Sequence, residues 1–215
     1  MNTAPDFSRL ARSYRWMEAV TFGPLLMRTR CSMLGELSGC RRALVLGDGD
    51  GRFTARLLTA NPKVEVDAVD ASAAMLAELR TYAGPHKGRV RTHIADAREW
   101  QPGHDGYDLI VTHFFLDCLT SEEVHDLAAH MCGAAKPGAL WVVSEFAISR
   151  GVFGSVVARP LVALLYCAFG VLTGLRIRRL PNHREALKDA GFVLDRERPR
   201  LRGLLVSELW RKQKR

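Results

Sequence analysis

The sequence predicts an α/β fold: a doubly wound, mainly parallel seven-stranded sheet with helices on both faces and an antiparallel last strand. Short aliphatic and β-branched strings alternate along the chain with segments whose apolar residues recur at helical spacing. A glycine-rich turn follows the first string, and two apolar strings, 192–194 and 204–210, close the chain as a strand pair. At 215 residues, the chain is predicted to form one domain, 1–215.

The individual elements follow from these patterns in chain order. The first strand, 43–46, runs into the glycine turn, a helix follows over 52–60, and the second strand, 64–69, stops at an aspartate. Thr120 and Glu123 have the spacing of a capping box at the start of a helix. The remaining helices are predicted over 72–82, 120–131 and 183–190, and the remaining strands over 90–94, 107–112, 139–144, 192–194 and 204–210.

The composition excludes several classes of protein. Hydrophobic residues make up 47% and charged residues 25%, as in soluble globular domains, which argues against a disordered, collagen-like or disulfide-scaffold chain. The five cysteines are scattered and show no C-x-x-C or Cys/His ligand spacing, so we expect reduced thiols and no metal site. The first residues contain no apolar run typical of a signal peptide, so we expect a cytoplasmic location.

The chain is basic, with a formal net charge of +8, which is compatible with an anionic partner such as nucleic acid, anionic lipid or an acidic metabolite. Much of the excess lies in 176–179, 196–202 and 211–215, without the interleaved aromatic residues of a base-stacking surface. We interpret these residues as a solvated basic face, and we expect a small-molecule partner rather than nucleic acid.

Two segments fall outside the alternation of strands and helices. Residues 7–37 form a predicted helical preface rich in aromatic and sulfur-containing side chains, and residues 152–175 form an apolar insertion. The uninterrupted apolar part, Leu161 to Leu175, has 15 residues, fewer than the roughly 20 that a membrane-spanning helix needs. We expect no transmembrane span. Peripheral membrane contact, a lid and a dimer contact remain alternatives for this surface.

The glycine-rich turn GDGDG at 47–51 lies between a predicted strand and a predicted helix, where a parallel sheet presents helix N-terminal amides to a ligand. Asp70 ends the next strand, 19 residues past Gly51, and a carboxylate there accepts both hydroxyls of a ribose. This spacing also suits a dinucleotide, but Asp48 and Asp50 would repel a pyrophosphate. S-adenosylmethionine has no phosphate and carries a cationic sulfonium and a cationic ammonium, so the acidic turn favours it as the cofactor.

Five segments, in order, resemble the motifs of the class I S-adenosylmethionine-dependent methyltransferases, over roughly residues 41–145 and the closing strands. They are VLGDGDGRF, VDAVDAS, HIADAREW, YDLIVTHFFLD and KPGALWVVSEF. The resemblance implies an enzyme that uses S-adenosylmethionine as its cofactor. The sequence departs from the family at Val45, because an acidic residue usually stands two positions before the first glycine. We expect Asp48 to hold the methionine ammonium instead.

The resemblance also assigns roles to single residues. Asp70 would take the ribose hydroxyls, Ala71 and Met75 would border the adenine, and Asp96 would accept the adenine amino group. The expected cofactor-binding residues are Gly47, Asp48, Gly49, Gly51, Asp70, Ala71, Met75, Asp96, Ala97 and Thr112.

The methyl acceptor is expected over the ends of the fourth and fifth strands. In-line methyl transfer gains mostly from proximity, and it needs a base only where the acceptor must lose a proton. His113 is the candidate catalytic base because imidazole titrates near neutrality, and a packed His113 that contacts the loop or the cofactor is the alternative. Asp117 and Glu145 can orient a cationic or hydroxylated acceptor, and Asp117 can instead cap a turn. The expected substrate-binding residues are Tyr14, Trp16, Phe114, Phe115, Glu145 and Tyr166.

We therefore predict S-adenosylmethionine-dependent methyl transfer to a small, apolar or aromatic acceptor, giving S-adenosylhomocysteine, by a monomer or homodimer. The resemblance to small-molecule members implies a helical lid at 7–37 and a helical insertion over the substrate site at 152–180. The fourth-strand motif lacks the Asn/Asp-Pro-Pro-aromatic signature of the branches that methylate nucleic acids and protein amides or amines. An RNA or protein methyltransferase that uses the basic surface is the alternative, and a cofactor-binding module without methyl transfer is a third hypothesis.

Overall fold

Seven strands form one sheet in the order β3-β2-β1-β4-β5-β7-β6. The structure is a computed structural model, and it describes residues 24–102, 106–147 and 180–214. The strands are β1 Arg42–Leu46, β2 Glu65–Asp70, β3 Val90–Ile94, β4 Tyr107–His113, β5 Ala135–Phe146, β6 Phe192–Arg200 and β7 Leu205–Lys212. The helices of the described residues are α1 Pro24–Arg30, α2 Arg52–Ala60, α3 Ala73–Ala83, α4 Ser121–Ala134 and α5 His183–Asp189.

The strand directions confirm the predicted fold class. Strand β1 pairs in parallel with β2 and β4, β2 pairs in parallel with β3, and β4 pairs in parallel with β5. Strand β7 lies between β5 and β6 and is antiparallel to both. Because β1 is flanked by β2 on one side and β4 on the other, the strand order reverses at β1, and such a switch point opens a crevice at the carboxyl ends of the strands.

Both faces of the sheet are covered by apolar side chains, as a doubly wound sheet requires. One face packs against α2, α3 and the segment before β1, and its fully buried members include Met33, Leu37, Phe53, Leu57 and Leu79. The other face packs against α4 and α5, and its fully buried members include Met131, Trp141, Leu187, Phe192 and Trp210.

Helix α4 begins as the sequence predicts. The Thr120 hydroxyl accepts a hydrogen bond from the Glu123 amide at 3.2 Å, and the Glu123 carboxylate accepts one from the Thr120 amide at 2.8 Å. This reciprocal capping box satisfies two backbone donors that the first helical turn leaves without partners.

Strands β5 and β6 are both longer than the sequence predicts. Strand β5 begins at Ala135 rather than at Ala139, because the pairing with β4 shifts between Tyr107 and Leu109 and accommodates the Lys136–Gly138 stretch as an irregularity. Strand β6 continues to Arg200 rather than ending at Leu194. The charged second half of β6 lacks the alternation of apolar residues that would predict a strand. Its backbone nevertheless pairs with β7, and its side chains face solvent.

The described part of the 7–37 preface, residues 24–37, is helical and packs with the core, and the predicted lid over the substrate site stays a prediction. Helix α1 is followed by a 3₁₀ turn, Cys31–Leu37, which buries Met33 and Leu37 completely. Leu26 of α1 packs instead with Phe114 after β4. The segment therefore links the core to the carboxyl edge of the sheet.

None of the helices in the described residues has both the length and the apolar character of a membrane span. Over the same ranges, no three His, Cys, Asp or Glu side chains are grouped as metal ligands would be.

Candidate active site

The carboxyl ends of β1, β2, β3, β4 and β5 meet at one edge of the sheet, and this edge brings the predicted polar residues together. The glycine turn follows β1, Asp70 ends β2, and Asp96 follows β3. The main chain links these ends directly, since the Gly47 amide donates to the Val69 carbonyl at 3.0 Å and the Ala95 amide donates to the Asp70 carbonyl at 3.2 Å.

The three glycines of the turn differ in what a side chain would meet at their positions. Gly47 and Gly51 have positive φ angles of 64° and 79°. A Cβ at Gly47 would lie 2.4 Å from the Phe115 ring, and a Cβ at Gly51 would lie 2.6 Å from the Cα of Leu79 in α3. Gly49, with φ 63°, has nothing within 4 Å of a Cβ. The first and third glycines therefore permit close packing, and the second leaves room for a ligand.

The two acidic residues of the turn are in different electrostatic environments. Asp50 forms an ion pair of 2.7 Å with Arg52. Asp48 is buried, and its Oδ2 accepts hydrogen bonds from the Thr54 amide at 2.9 Å and the Thr54 hydroxyl at 2.7 Å. Burial raises the pKa of Asp48 to about 6, although the charge of Arg30 and the Thr54 hydrogen bonds oppose the rise. Asp48 is thus oriented by Thr54, which sequence reasoning did not single out.

Asp70 ends β2 at this edge, and its predicted contact with a ribose stays a prediction. Its Oδ1 accepts a hydrogen bond from the Ser72 amide at 2.8 Å, which fixes the carboxylate at the end of β2. Burial raises its pKa to about 6 against that hydrogen bond. A carboxylate held this way in a poorly solvated position gains much from ligand hydroxyls that donate to it.

Asp96 lies beside the same edge and is engaged by a neighbouring cation. Arg98 donates from Nε to both carboxylate oxygens, at 2.9 and 3.0 Å. The Arg98 hydrogen bonds lower the pKa of Asp96 although burial opposes them. Arg98 makes two hydrogen bonds to each oxygen of Asp96, so an adenine amino group would have to compete with Arg98 for this carboxylate, and the predicted adenine contact stays a prediction.

The other predicted cofactor residues are split between surface and core. Ala71 is exposed next to Asp70, whereas Met75 and Ala97 are buried. Thr112 is fully buried, and its hydroxyl accepts a hydrogen bond from the Trp141 indole at 3.0 Å. The Thr112 side chain is therefore engaged inside the core, between the paired strands β1 and β5, and its predicted cofactor contact stays a prediction.

His113 ends β4 on the face of the sheet that carries α2. Its ring meets Phe53 edge to face, with centroids 4.3 Å apart. Burial lowers the pKa of His113 well below its usual value, and the charge of Arg30 lowers it further. The imidazole is therefore neutral at pH 7, and its role as a base stays a prediction.

The loop after β4 carries two aromatic side chains over the edge. Phe114 has a positive φ of 52°, a strained conformation for a non-glycine residue, and its amide donates to the Ser144 carbonyl at 2.7 Å. Its ring lies 5.2 Å from that of Phe146, while Phe115 covers Gly47. Strain of this kind persists only where surrounding contacts impose it, and here the buried Phe114 packs with Leu26, Leu204 and Leu205.

Glu145 holds that loop in place. Its Oε1 accepts hydrogen bonds from the amides of Phe115 at 3.2 Å and Leu116 at 2.9 Å. Burial raises the pKa of Glu145 well above its usual value, and the neighbouring Asp117 charge raises it further. The carboxyl therefore positions the aromatic loop, a role that no sequence spacing indicates, and its predicted contact with substrate stays a prediction.

Replacement of Glu145 by glutamine is expected to change the free energy of unfolding by less than about 1 kcal/mol, because an amide oxygen still accepts the two backbone bonds. If Glu145 also contacts a cationic acceptor, the same variant should raise the KM for that acceptor and leave the affinity for S-adenosylhomocysteine unchanged. Urea denaturation and steady-state kinetics measure the two effects. A loss of stability above about 2 kcal/mol would show that the carboxylate charge itself is needed.

Arg30 is a site residue that sequence reasoning missed. It is the last residue of α1 and is buried, with its guanidinium 5.4 Å from the Phe114 ring centroid. Its positive charge also acts on Asp48 and His113. A signal was present, because Arg30 lies four positions after Leu26 and three after Met27, on the apolar side of the helix.

Tyr14, Trp16 and Tyr166 lie outside the described residues, as do 7–23 of the predicted lid and 152–179 of the predicted insertion. Their assignment to substrate binding stays a prediction.

The residues at this edge fit a nucleoside that carries a cationic group. Asp70 presents a fixed carboxylate for ribose hydroxyls. Asp48 Oδ1 is buried and has no hydrogen-bond partner in the described part of the chain, so it lacks the donor that buried carboxylates normally have. The space beside Gly49 is open, since nothing lies within 4 Å of a Cβ added there. An ammonium on a phosphate-free nucleoside would supply the missing donor.

Comparison with known proteins agrees with this geometry. Residues 43–138 match the family described as methyltransferase domain. Human N-terminal Xaa-Pro-Lys N-methyltransferase 1 is 30% identical over 141 residues, which are 62% of this chain and 63% of the human enzyme. Mitomycin 7-O-methyltransferase has a TM-score of 0.73 at 18% identity, over 98% of this chain and 61% of that one. Human N-acetylserotonin methyltransferase, solved with S-adenosylmethionine, has a TM-score of 0.65 at 18% identity, over 96% of this chain and 55% of that one.

The fold and the polar edge agree with a class I S-adenosylmethionine-dependent methyltransferase domain. Residues 43–138 are the part of the chain that matches the methyltransferase domain family. The two solved structures, both below 25% identity, support the fold. The chain spans 63% of the length of the human Xaa-Pro-Lys enzyme and 61% of the mitomycin enzyme.

Proposed function

We propose that the protein transfers a methyl group from S-adenosylmethionine to a small acceptor with an apolar or aromatic part and releases S-adenosylhomocysteine. The observation that carries the proposal is the buried acidic turn, in which Oδ1 of Asp48 has no donor among the described residues, while the carboxylate of Asp70 is fixed at the end of the neighbouring strand. A dinucleotide would place phosphates against these carboxylates, and like charges at such distances repel. The family match over 43–138 supports the same cofactor.

The chain contributes binding and alignment to the reaction. S-adenosylmethionine, when bound, supplies an electrophilic methyl group on a sulfonium. Asp70 would take the ribose hydroxyls, Asp48 would pair with the methionine ammonium, and Phe115, held by Glu145, would close over Gly47. A loop fixed in this way keeps donor and acceptor in line, and proximity is the main source of rate in such a displacement.

An apolar wall at the acceptor side supports a small apolar or aromatic acceptor. Leu26 and Phe114 form a cluster over the ends of β4 and β5 with Leu180, Phe146, Leu204 and Leu205. Aromatic rings of this kind bind planar apolar groups through area burial and ring contacts. His113 as a general base and Glu145 as a substrate contact belong to this proposal as well.

The arrangement of the basic face favours a small acceptor over RNA. Arg196 and Arg198 of β6 pair with Glu36 at 3.3 and 2.6 Å, and Arg211 pairs with Asp195 at 2.7 Å. Arginines that are engaged by carboxylates offer less charge to a phosphate backbone. A protein N-terminus is the second candidate acceptor, because the human relative, at 30% identity, is named as an N-terminal methyltransferase. A cytoplasmic monomer or homodimer remains our expectation for the functional state.

An acceptor panel tests the proposal. The purified chain is incubated with S-adenosylmethionine and, separately, with hydroxylated or aminated aromatic compounds, a peptide that begins Xaa-Pro-Lys, and RNA, and S-adenosylhomocysteine is measured by mass spectrometry. We expect product with a small aromatic compound, lost in Asp70→Ala. Product with the peptide or RNA alone would overturn the small-acceptor assignment. Tight cofactor binding without product on any acceptor would overturn the enzyme assignment.

A further inference from the structure

One carboxylate at the carboxyl edge of the sheet is already engaged by a neighbouring cation. Asp96 Oδ1 accepts hydrogen bonds from the Arg98 main-chain N–H at 3.0 Å and from Nε at 2.9 Å, and Oδ2 accepts from Nε at 3.0 Å and from Nη2. These hydrogen bonds lower the pKa of Asp96, so the carboxylate is ionised at neutral pH. A ligand that donates to Asp96 therefore has to displace part of this pair.

The ion pair is exposed enough for a ligand to reach it. The side chains of Asp96 and Arg98 are 31% and 43% exposed. Ion pairs at such positions contribute little net free energy, because water hydrates both groups and competes for their hydrogen bonds. A ligand that supplies an N–H donor, and that other contacts hold in place, can therefore take over a carboxylate oxygen at a small cost.

Arg98 has a second carboxylate partner that fixes its position. Its Nη1 forms an ion pair with Glu123 Oε1, while Oε2 of Glu123 accepts the Thr120 amide of the capping box at 2.8 Å. The guanidinium thus lies between Asp96, after β3, and the first turn of α4. When a ligand takes an oxygen of Asp96, Arg98 keeps its ion pair with Glu123, so its charge stays compensated.

A nucleoside base comes within reach of Asp96 if its ribose lies at Asp70. Strand β3 is the neighbour of β2, and the Ala95 amide donates to the Asp70 carbonyl at 3.2 Å, so the two aspartates lie at adjacent strand ends. Neighbouring strands are about 4.8 Å apart, and the base is bonded directly to the ribose. Because β1 and its glycine turn lie on the other side of β2, a cofactor whose amino acid part occupies the turn directs its base towards β3.

We propose that Arg98 is a specificity-determining residue of the cofactor site, because it competes with the 6-amino group of the base for Asp96 and so lowers the selectivity for adenine that a free carboxylate would give. This inference rests on the proposed function, which brings an adenine-bearing cofactor to this edge. A hydrogen bond to a charged group is worth about 10-fold or more in affinity. Part of that gain is offset here by the hydrogen bonds that Arg98 loses when the base binds.

Calorimetry with two ligands on the full chain tests this competition. The ligands are S-adenosylhomocysteine and its 6-deamino analogue, in which unsubstituted purine replaces adenine. We expect Arg98→Met to bind S-adenosylhomocysteine about 3- to 10-fold more tightly than the wild type does, because the amino group then finds Asp96 free. The affinity for the 6-deamino analogue should stay within about twofold of wild type, since this ligand has no amino group to donate.

Further variants make the result independent of folding. Glu123→Gln should weaken S-adenosylhomocysteine about twofold and spare the analogue, because a neutral partner leaves more of the guanidinium to Asp96, while glutamine still completes the capping box. In an Asp96→Ala background, Arg98→Met should no longer affect either ligand. Arg211→Met removes an exposed arginine that pairs with Asp195 on the closing strands, and as the matched control it should bind both ligands as the wild type does.

The possible outcomes discriminate between the inference and the function on which it rests. Weaker binding of S-adenosylhomocysteine alone by Arg98→Met would overturn the inference, because Arg98 would then position Asp96 for the base. Equal weakening of both ligands would overturn it as well, since the residue would act on the fold, and so would unchanged binding of both. In these three cases the wild type still binds S-adenosylhomocysteine, and the methyltransferase proposal stands. Failure of the wild type to bind either ligand would contradict the proposed function itself.

Discussion

Gly51→Ala is expected to lower the free energy of unfolding by about 3 kcal/mol, as the sum of a strained positive φ and overpacking. Its φ is 79°, and the new Cβ would lie 2.4 Å from Cγ and 2.6 Å from Cα of Leu79. Leu79 is 1% exposed, and its Cα is part of the backbone of α3, so the start of α2 must move away from α3. Urea denaturation followed by circular dichroism measures the loss.

Gly49→Ala is the matched control within the same turn. Its φ of 63° imposes similar strain, but nothing lies within 4 Å of the added Cβ, so we expect a loss of only about 1 kcal/mol. The added methyl group occupies the space that we assign to the ligand, so the affinity for S-adenosylhomocysteine should fall more than the stability does. Equal losses of stability in the two variants would show that φ, rather than the contact with Leu79, sets the cost.

Asp70→Ala is expected to weaken S-adenosylmethionine binding by about 2 to 3 kcal/mol, or on the order of 30- to 150-fold in Kd, because it removes charge-assisted hydrogen bonds to the ribose. Asp195→Ala is the control, since Asp195 is an exposed aspartate of β6 that pairs with Arg211 on the far side of the sheet. Isothermal calorimetry at pH 7.5 measures both. An unchanged Kd in Asp70→Ala would contradict the ribose assignment.

The raised pKa of Asp70, about 6, also predicts how binding depends on pH. An unfolded aspartate titrates near pH 3.9, so between about pH 4 and 6 the folded protein holds the proton more tightly than the unfolded chain. The contribution of Asp70 to the stability of the free protein therefore falls as pH rises through this window. Ligand hydroxyls need the ionised carboxylate, so the affinity for S-adenosylhomocysteine should rise from pH 5 to 7.

Asp48 has a pKa of about 6 as well and should add to the same slope. Calorimetry between pH 5 and 8 on the wild type and Asp70→Asn tests this. The variant keeps the contribution of Asp48 to the pH dependence of the affinity and loses that of Asp70. A wild-type Kd that is flat over this range would show that neither carboxyl changes its protonation on binding.

Much of the fold is predictable because its signals are local. The capping box of Thr120 and Glu123 needs only four residues of sequence, and the aliphatic strings of β1 and β2 need only the rule that buried parallel strands are apolar. The predicted length of β6 is too short because the signal for its second half is not local. Its exposed half is held by backbone pairing with β7, which leaves no hydrophobic period.

The same distinction between local and long-range signals applies to the residues of the candidate site. Asp70 and the glycine turn lie at fixed places relative to strand ends, so their positions follow from spacing alone. Arg30 is 83 positions from His113 in sequence, and only the packing of α1 on the edge brings them together. The hydrogen bonds of Glu145 to the amides after β4 likewise span 29 or 30 positions, so no local pattern reports them.

The charged edge strand limits how copies of this chain can associate. A strand of another molecule that added to β6 would meet the exposed side chains of Arg196, Glu197 and Arg198, and it would face Pro199, which has no N–H to offer. Continuation of the sheet from one subunit into the next is therefore disfavoured at this border. Any symmetric pair must use another surface, and the barrier also protects the domain from cross-β aggregation.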